Sequence, residues 1–401
     1  MKVLVINSGS SSIKYQLFDM TDESVLCSGL VERIGEDMGS LTHKVAPDTD
    51  RADRIVLEQP IADHEVGMRL AIDLICGEKG VVKDKSEISA VGHRIVHGGE
   101  SFHHPTLVDD SVMEELAKVI PLAPLHNPGH LAGMRVARAL FPTVPQVVVI
   151  DTAYHQTLPP KAYMYALPYD LYEELRIRRY GFHGTSHCFV AKEAARVMGR
   201  PFEEFNCITV HLGNGCSMTA TENGRAVDTS MGITPLEGLV MGTRSGDVDA
   251  ALHSFLHRSR GMTPEEVDFM LNKESGLKGL CGMGDMRDIH AAIAKGDERA
   301  RLALDVQTYR NRKYIASFMG VLGRVDAIIF TAGIGENDSV VRSKSVENLE
   351  RFGVKIDEKI NDQRVSTPLR ISTDDSEVQV WVIPTNEELA IARETKALIE
   401  A

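Results

Sequence analysis

Two stretches of this chain place small hydroxyl and amide residues around glycine, each directly after a short apolar run. Asn7-Ser8-Gly9-Ser10-Ser11-Ser12 follows Val3-Leu4-Val5-Ile6, and Leu212-Gly213-Asn214-Gly215-Cys216-Ser217 follows Cys207-Ile208-Thr209-Val210-His211. Backbone N–H groups and hydroxyls at such a turn can wrap an anion. Lys14 stands just past the first turn, where its ammonium can reach a phosphate. A hairpin with a flexible tip would explain one stretch. Two of them, half a chain apart, point to two similar halves around a shared nucleotide.

Other residues suit the same chemistry. Arg94 lies in His93-Arg94-Ile95-Val96-His97-Gly98-Gly99, and Arg244 lies in Gly242-Thr243-Arg244-Ser245-Gly246. In a chain of net charge -13, an arginine on a glycine-framed loop is an odd choice unless it meets an anion. Asp151 closes the apolar run 144–150, at the strand end where open α/β sheets bind ligands. His183 sits among Gly181, Phe182 and Gly184, ahead of a helix expected to be capped by Thr185 or Ser186. A helix N-terminus is a ready anion site. His126 stands on a loop stiffened by Pro121, Pro124 and Pro128. Phosphoryl transfer needs such parts, because cations and fixed dipoles must meet the charge on the transferring group.

Elements that can position these residues are legible in the pattern. Residues 3–6 and 13–18 read as two strands of a hairpin, and 207–211 with 218–221 as another, followed by the tight-turn pair Asn223-Gly224. Further strands are expected within 20–60, from 87 to 92, at 144–150, at 325–331 and at 378–383. Helices are expected at 64–76, 112–120, 129–140 and from 185 to about 198. Residues 248–320 read as mostly helical, with a Gly-rich interruption at 277–284. Ala332-Gly333-Ile334-Gly335-Glu336-Asn337 follows a strand and opens a helix, which suits a backbone approach to a nucleotide. Glu387 falls in the first turn of the final helix, where the dipole favours an acid in any case.

At 401 residues, with 43% apolar and 25% charged content, the chain is long enough for two or three domains with full cores. The acidic balance argues against a general nucleic-acid binder. The six cysteines form no C-x-x-C pair, so neither zinc nor a thioredoxin-like site is signalled. His93, His97, His103 and His104 have no spacing suited to a metal-binding helix. No basic-plus-apolar leader and no run of eighteen apolar residues is expected to send the chain to a membrane. A reduced, cytoplasmic protein is the expectation. Walker A, G-x-S-x-G and H-E-x-x-H patterns are all missing from the sequence, which removes the main support for P-loop, serine-hydrolase and zincin readings.

The stretches VINSGSSSIKYQLFD, GHRIVHGGE, LAPLHNP, DTAYHQT, YGFHGTSH, HLGNGCS, TPLEGLVMGTRSGD, FTAGIGEN and IPTNEELAIARET together resemble the acetate kinase family over essentially the whole chain. The pattern departs at Pro128-Gly129-His130 and at Gly282-Met283-Gly284-Asp285. The resemblance implies an α/β fold of two duplicated ribonuclease-H-like (actin-like ATPase) domains with a nucleotide cleft between them. Residues 1–150 with 385–401 would form one and 151–384 the other. It implies reversible transfer of a phosphoryl group from ATP to acetate, giving ADP and acetyl phosphate, with Mg²⁺ or Mn²⁺, in a homodimer.

By the same resemblance Asn7 and Glu387 help place the metal, and Lys14 touches the nucleotide phosphates. Arg94 binds the acetate carboxylate. Asp151 is the residue the family labels proton donor or acceptor. His183 and Arg244 stabilise the transferring group. His211, Leu212, Gly213, Asn214 and Gly215 hold the nucleotide, with Asp285, Met286, Arg287, Gly333, Ile334, Gly335, Glu336 and Asn337. Val96, Leu125, Phe182 and Pro235 line the acetyl methyl pocket, and His126 stands with the substrate-binding residues. One role meets a physical objection. Acetate, with a pKa of roughly 4 to 5, is already ionised at neutral pH, so a base has no proton to take from it. Asp151 is therefore expected to orient Arg94 or a metal-bound water. Two other readings compete: a propionate or butyrate kinase of the same family, and an actin- or chaperone-like ATPase switch. The switch would not need Arg94, His183 and Arg244 around an acceptor.

Overall fold

The computed structural model describes residues 1–47, 49–50, 52–76, 80–124 and 126–401. They fall into two compact units, Met1–Ala153 with Asn386–Ala401, and Tyr154–Thr385.

The first unit is built on a sheet of β1 (Lys2–Ser8), β2 (Ser12–Asp19), β3 (Ser24–Glu32), β4 (Gly39–Val45), β5 (Asp53–Gln59), β6 (Ala90–Ile95), β7 (Thr106–Leu107) and β8 (Gln146–Ile150), in the order β5-β4-β3-β2-β1-β6-β8-β7. β1 runs antiparallel to β2 and parallel to β6, and β6 runs parallel to β8. Successive side chains of a strand point to opposite faces, and β1 is apolar on both. Leu4 and Ile6 pack with Met68, Ala71 and Ile75 of the helix His64–Cys76. Val3 and Val5 pack with Ile391 and Ala392 of the helix Glu387–Glu400. A strand covered twice has to read as a continuous apolar run.

The second unit repeats the plan. Its sheet comprises β9 (Cys207–Leu212), β10 (Cys216–Glu222), β11 (Arg225–Thr229), β12 (Ala327–Thr331), β13 (Leu369–Arg370) and β14 (Gln379–Val382), in the order β11-β10-β9-β12-β14-β13. β9 is antiparallel to β10 and parallel to β12, which is parallel to β14. The order β3-β2-β1-β6-β8 and the order β11-β10-β9-β12-β14 are one topology, used twice. This is the duplicated actin-like ATPase fold, and each copy opens on one of the two Gly/Ser turns.

Several local expectations are corrected. The helix after Phe182 begins at Gly184, with His183 at its N-cap in the left-handed region (φ +57°) and no side-chain cap. Thr185 and Ser186 lie inside its first turn, and the Ser186 hydroxyl is instead 2.9 Å from His211 Nδ1. Residues Gly276–Cys281 are helical, so the Gly-rich interruption narrows to the turn before the helix Met286–Ala294. The strand expected from 87 begins at Ala90, because Lys85–Glu87 form a 3-10 turn capped by Asp84. Pro128 falls in the first turn of the helix Asn127–Leu140, where its missing N–H costs nothing. In the polar stretch 46–51, which the sequence offers as a break between the strands expected within 20–60, Asp48 and Arg51 lie outside the described residues.

The departure at Pro128-Gly129-His130 has a packing use. A Cβ on Gly129 would lie 2.7 Å from the Gly9 carbonyl oxygen and 2.9 Å from Ser10 N. One on Gly133 would overlap the Ser8 hydroxyl. The helix Asn127–Leu140 thus rests almost backbone to backbone on the first Gly/Ser turn. Backbone cannot swing aside as a side chain can, so Gly129→Ala is expected to cost about 1–3 kcal/mol. The urea unfolding midpoint measures it. A midpoint equal to the parent's would contradict this close approach.

Candidate active site

In the first unit the parallel register puts the chemistry at one end of the sheet. Ile6 pairs with His93, and Ile95 with Ile150. Arg94 and Asp151 therefore emerge together where β6 and β8 end. Arg94 Nη2 donates to Asp151 Oδ2 at 2.5 Å, and Arg94 Nε lies 3.4 Å from Glu387 Oε2. Glu387 reaches this place because the helix Glu387–Glu400 lies close against β6. A Cβ on Gly92 would stand 2.5 Å from Thr395 Oγ1 and 2.8 Å from Ile391 Cγ2.

The Asp151 side chain is 2% exposed and that of Arg94 20%. Burial works against the Arg94 charge, and the Asp151 and Glu387 carboxylates outweigh it, holding its pKa above the ordinary arginine value. Glu387 shows the opposite balance. Burial pushes its pKa up to about 7; Arg94 pulls it down, and Asp151 and Glu388 push it further up. A carboxylate so strained by its neighbours is a fitting place for a cation. Among the described residues no group of three or more His, Cys, Asp or Glu could cage a metal. Mg²⁺ needs no such cage, since it takes one or two carboxylates and completes its shell with water and substrate phosphates.

Other sequence candidates in this unit are placed as follows. Asn7 faces Lys14 across the β1–β2 pair. Lys14 Nζ is ion-paired to Glu388, the residue after Glu387, so its charge is already partly met inside the unit. Val96 is buried two residues past Arg94. His126 is exposed at the N-cap of the helix Asn127–Leu140. Leu125 lies outside the described residues.

In the second unit His183, Arg244 and Gly215 converge. A Cβ on Gly215 would be 3.4 Å from Arg244 Nη1 and 3.5 Å from His183 Nε2, so glycine leaves room there for a ligand. The His183 ring stacks on His211, with centroids 4.2 Å apart and planes 18° from parallel. Its Nδ1 lies 2.9 Å from Ser217 Oγ. Arg244 Nη1 donates to the Pro235 carbonyl at 3.1 Å, and burial lowers the guanidinium pKa. Among the described residues no carboxylate pairs with Arg244. The acids of its loop are engaged elsewhere. Glu237 accepts from Arg179 and from Tyr165, each at 2.5 Å. Asp247 accepts from Tyr314 at 2.7 Å and from the Gly238 amide at 2.8 Å. A half-buried cation without a carboxylate partner is the electrostatic definition of an anion site.

The nucleotide candidates divide. Leu212 and Met286 turn their side chains into the core. Asp285 caps its helix through the Arg287 amide, and the Arg287 guanidinium folds back on it at 2.6 Å. Glu336 is turned inward, its Oε1 accepting from the Ala332 amide at 2.8 Å and the Thr385 amide at 3.0 Å. Gly333 has open space where a Cβ would stand, and Asn337 Nδ2 donates to its carbonyl. Ile334 is half-buried, while Gly335 packs on Phe330 and the Val210 carbonyl. His290 Nε2, 2.7 Å from Asp338 Oδ2, ties the segment after Asp285 to the one after Gly333. Asn214 is exposed, its side chain over Gly242. Phe182 is buried and Pro235 half-buried. Ser217 was named only as a member of the second turn, and His187, Glu237 and Arg179 were not singled out from sequence. Serines, histidines and ion pairs are too common for type alone to mark those that touch a site.

Two actin-like ATPase units, one with a carboxylate-held arginine and one with a counter-ion-free arginine beside a histidine, define a phosphotransferase for an anionic acceptor. The sequence profile of the acetokinase family matches residues 2–393. An acetate kinase of Desulfotalea psychrophila is 62% identical over all of both chains. The crystal structure of Porphyromonas gingivalis acetate kinase superposes with a TM-score of 0.96 at 41% identity, covering 99% of each chain. That of a Francisella tularensis propionate kinase does so with 0.91 at 40%, again over 99% of each. The chain belongs to the acetokinase family, the kinases that use ATP or ADP and a carboxyl group as acceptor.

Glu387 sets a pH dependence. Its folded pKa stands above its ordinary value of 4.5, at about 7, so ionising it disfavours the fold. The penalty is absent below 4.5 and complete above about 7. Without added metal, Glu387→Gln is expected to melt above the parent at pH 8, the gap closing by pH 4.5. Equal melting temperatures at both pH values would contradict the strained carboxylate.

Proposed function

We propose that this chain transfers the γ-phosphoryl group of ATP directly and reversibly to acetate, giving acetyl phosphate and ADP. The observation that carries the reading is Arg244, half-buried beside His183 with no carboxylate partner among the described residues, in a chain of net charge -13. Two unit negative charges 4 Å apart repel by about 4 kcal/mol at an effective dielectric of 20. An anionic acceptor therefore approaches an anionic phosphate only where cations stand ready.

In this reading Arg94 takes the acetate carboxylate, and His183 with Arg244 takes the charge of the transferring group. The turn His211 to Gly215 and the Gly333 to Asn337 segment hold the nucleotide, and Lys14 reaches its phosphates by exchanging Glu388 for them. Val96, Phe182 and Pro235 would face the methyl group, with His126 beside the acceptor. Asn7 and Glu387 would hold Mg²⁺, which supplies positive charge to the nucleotide phosphates when bound. Asp151 positions Arg94. It has no proton to remove from acetate, and its short bond to Arg94 supports the orienting role. We infer a cytoplasmic homodimer, to be checked by sedimentation against the 44.1 kDa chain mass.

Hydroxylamine trapping of acetyl phosphate tests the reading. Acetate-dependent hydroxamate formation with ADP release is expected. Propionate should react more slowly, since one methylene is worth about 1–3 kcal/mol in a pocket. A rate higher with propionate would make this a propionate kinase, and acetate-independent ADP release would support an ATPase switch. Arg244→Ala should lower kcat by on the order of 10³ or more, as for arginines that stabilise a phosphoryl transition state. A loss confined to the acetate KM would remove that role. Asp151→Asn should lower kcat/KM for acetate by roughly 10–100-fold, the usual cost of losing an orienting partner, while the pH profile stays that of the parent. Near-full activity at saturating Mg²⁺ would contradict it.

A further inference from the structure

Residues 230–238 form neither helix nor strand, so their backbone groups take partners from elsewhere in the fold. In the middle of this loop stands Pro235, whose carbonyl accepts from Arg244 Nη1 at 3.1 Å. The loop is pinned at both ends. At its C-terminal end Asp247 Oδ1 accepts from the Gly238 amide at 2.8 Å, and Tyr314 donates to Asp247 Oδ2 at 2.7 Å. At its N-terminal end Arg179 Nη1 donates to the Ser230 and Met231 carbonyls, each at 3.1 Å.

Glu237 ties the two ends together. Its Oε1 accepts from Arg179 Nη2 at 2.5 Å, and its Oε2 accepts from Tyr165 Oη at 2.5 Å. Tyr165 Oη in turn accepts from the Ile233 amide at 3.0 Å. The direction of each bond is fixed by chemistry. An amide and a guanidinium only donate, and a carboxylate accepts, so the tyrosine hydroxyl takes the Ile233 proton contact and gives its own to Glu237. Burial and the Glu237 charge hold the Tyr165 pKa above its ordinary value, so that proton stays in place. Gly232 makes the room. A Cβ there would lie 1.9 Å from Glu237 Oε2 and 2.2 Å from Tyr165 Oη. Pro235 is two positions from Ile233 and two from Glu237, and its φ is fixed by its ring. Holding the two feet of so short an arch holds the carbonyl between them.

We propose that Tyr165 and Glu237 are the positioning pair of the acceptor side, clamping the arch 233–237 so that the Pro235 carbonyl aims Arg244 and the Pro235 ring keeps the acceptor pocket tight around a short carboxylate. Both act through Pro235 and are positioning residues. The roles of Arg244 and of the Pro235 ring rest on the proposed function, whereas the clamp can be read without turnover.

Hydrogen exchange of the full chain without ligands reads it. Tyr165→Phe removes a single oxygen. It should speed exchange in peptides from 230–246 and leave those of the first unit at parent rates. Parent-like exchange in 230–246 overturns the clamp, whatever the enzyme's substrate. In steady-state assays Tyr165→Phe should raise the acetate KM and lower kcat, each by on the order of 10-fold, with the ATP KM unchanged. The propionate-to-acetate ratio of kcat/KM should rise, by on the order of 10-fold where the pocket gains room for one methylene. Glu237→Gln should act in the same direction. The double variant should be no worse than the worse single one, because the two residues share one contact. A fall in kcat with the acetate KM and the selectivity unchanged, as a smaller folded fraction would give, overturns the proposal, and so do additive effects in the double variant. If Glu237→Gln does not fold, exchange and kinetics of Tyr165→Phe decide it. A parent chain that phosphorylates neither carboxylate would remove the proposed function, and the exchange rates would still test the clamp.

Discussion

An arginine that is mostly buried yet must stay charged is the constraint around which the first unit is arranged. Arg94 would lose its place without Asp151 at 2.5 Å and Glu387 at 3.4 Å. Those two carboxylates come from different parts of the chain, one at the end of β8 and one from the C-terminal helix. The C-terminal segment must therefore return to the first unit, and it does so across Gly92, whose missing side chain lets the helix lie close to β6. The cost appears at Glu387, where burial and two neighbouring acids leave a carboxylate with excess negative charge. Removing the arginine from such a cluster would leave its two carboxylates unmatched, which is far more damaging than never having built it.

Arg244 is the complement. The acids near it are committed to Arg179, Tyr165, Tyr314 and the backbone, so its charge is left over for a ligand. The same economy recurs around His183. Its outward nitrogen stands beside Arg244, while its inward nitrogen is tied into the Ser217 and His187 contacts. Burial of polar groups is costly unless each finds its partner. A network in which one arginine has no carboxylate among the described residues marks where an anion belongs. Preorganised charges of this kind stabilise a transition state without reorganising during the reaction.

Both copies of the fold put their Gly/Ser turn at the end of the first strand, and they diverge in what surrounds it. At the first turn the helix Asn127–Leu140 presses on Gly9 and Ser10 through Gly129. At the second, a loop held by Glu237 and Asp247 brings Arg244 over Gly215. One topology thus yields a carboxylate-rich site in one unit and a cationic one in the other. The sheet order sets where each turn points, and the added segments set its charge.

Much of this was legible in the sequence. The apolar runs gave β1, β8, β9 and β12, because a strand buried on both faces has no polar position to disguise it. Glycines and small polar residues gave both turns, and the arginines stood out against the acidic composition. Arg94, Asp151, His183 and Arg244 were each chosen from residue type and from place at a strand end or loop. The start of the helix at Gly184 was missed, because His183 takes a left-handed N-cap that cap preferences do not foresee. Lys14 and Glu336 were read as ligand-facing, and the fold gives them Glu388 and backbone amides. Local pattern determines which segments become strands, turns and helices, since that depends on neighbours in the chain. Which arginine is neutralised and which stays without a carboxylate depend on groups far apart in sequence. Only tertiary packing brings those together, and only there do burial and Coulomb forces decide their charge.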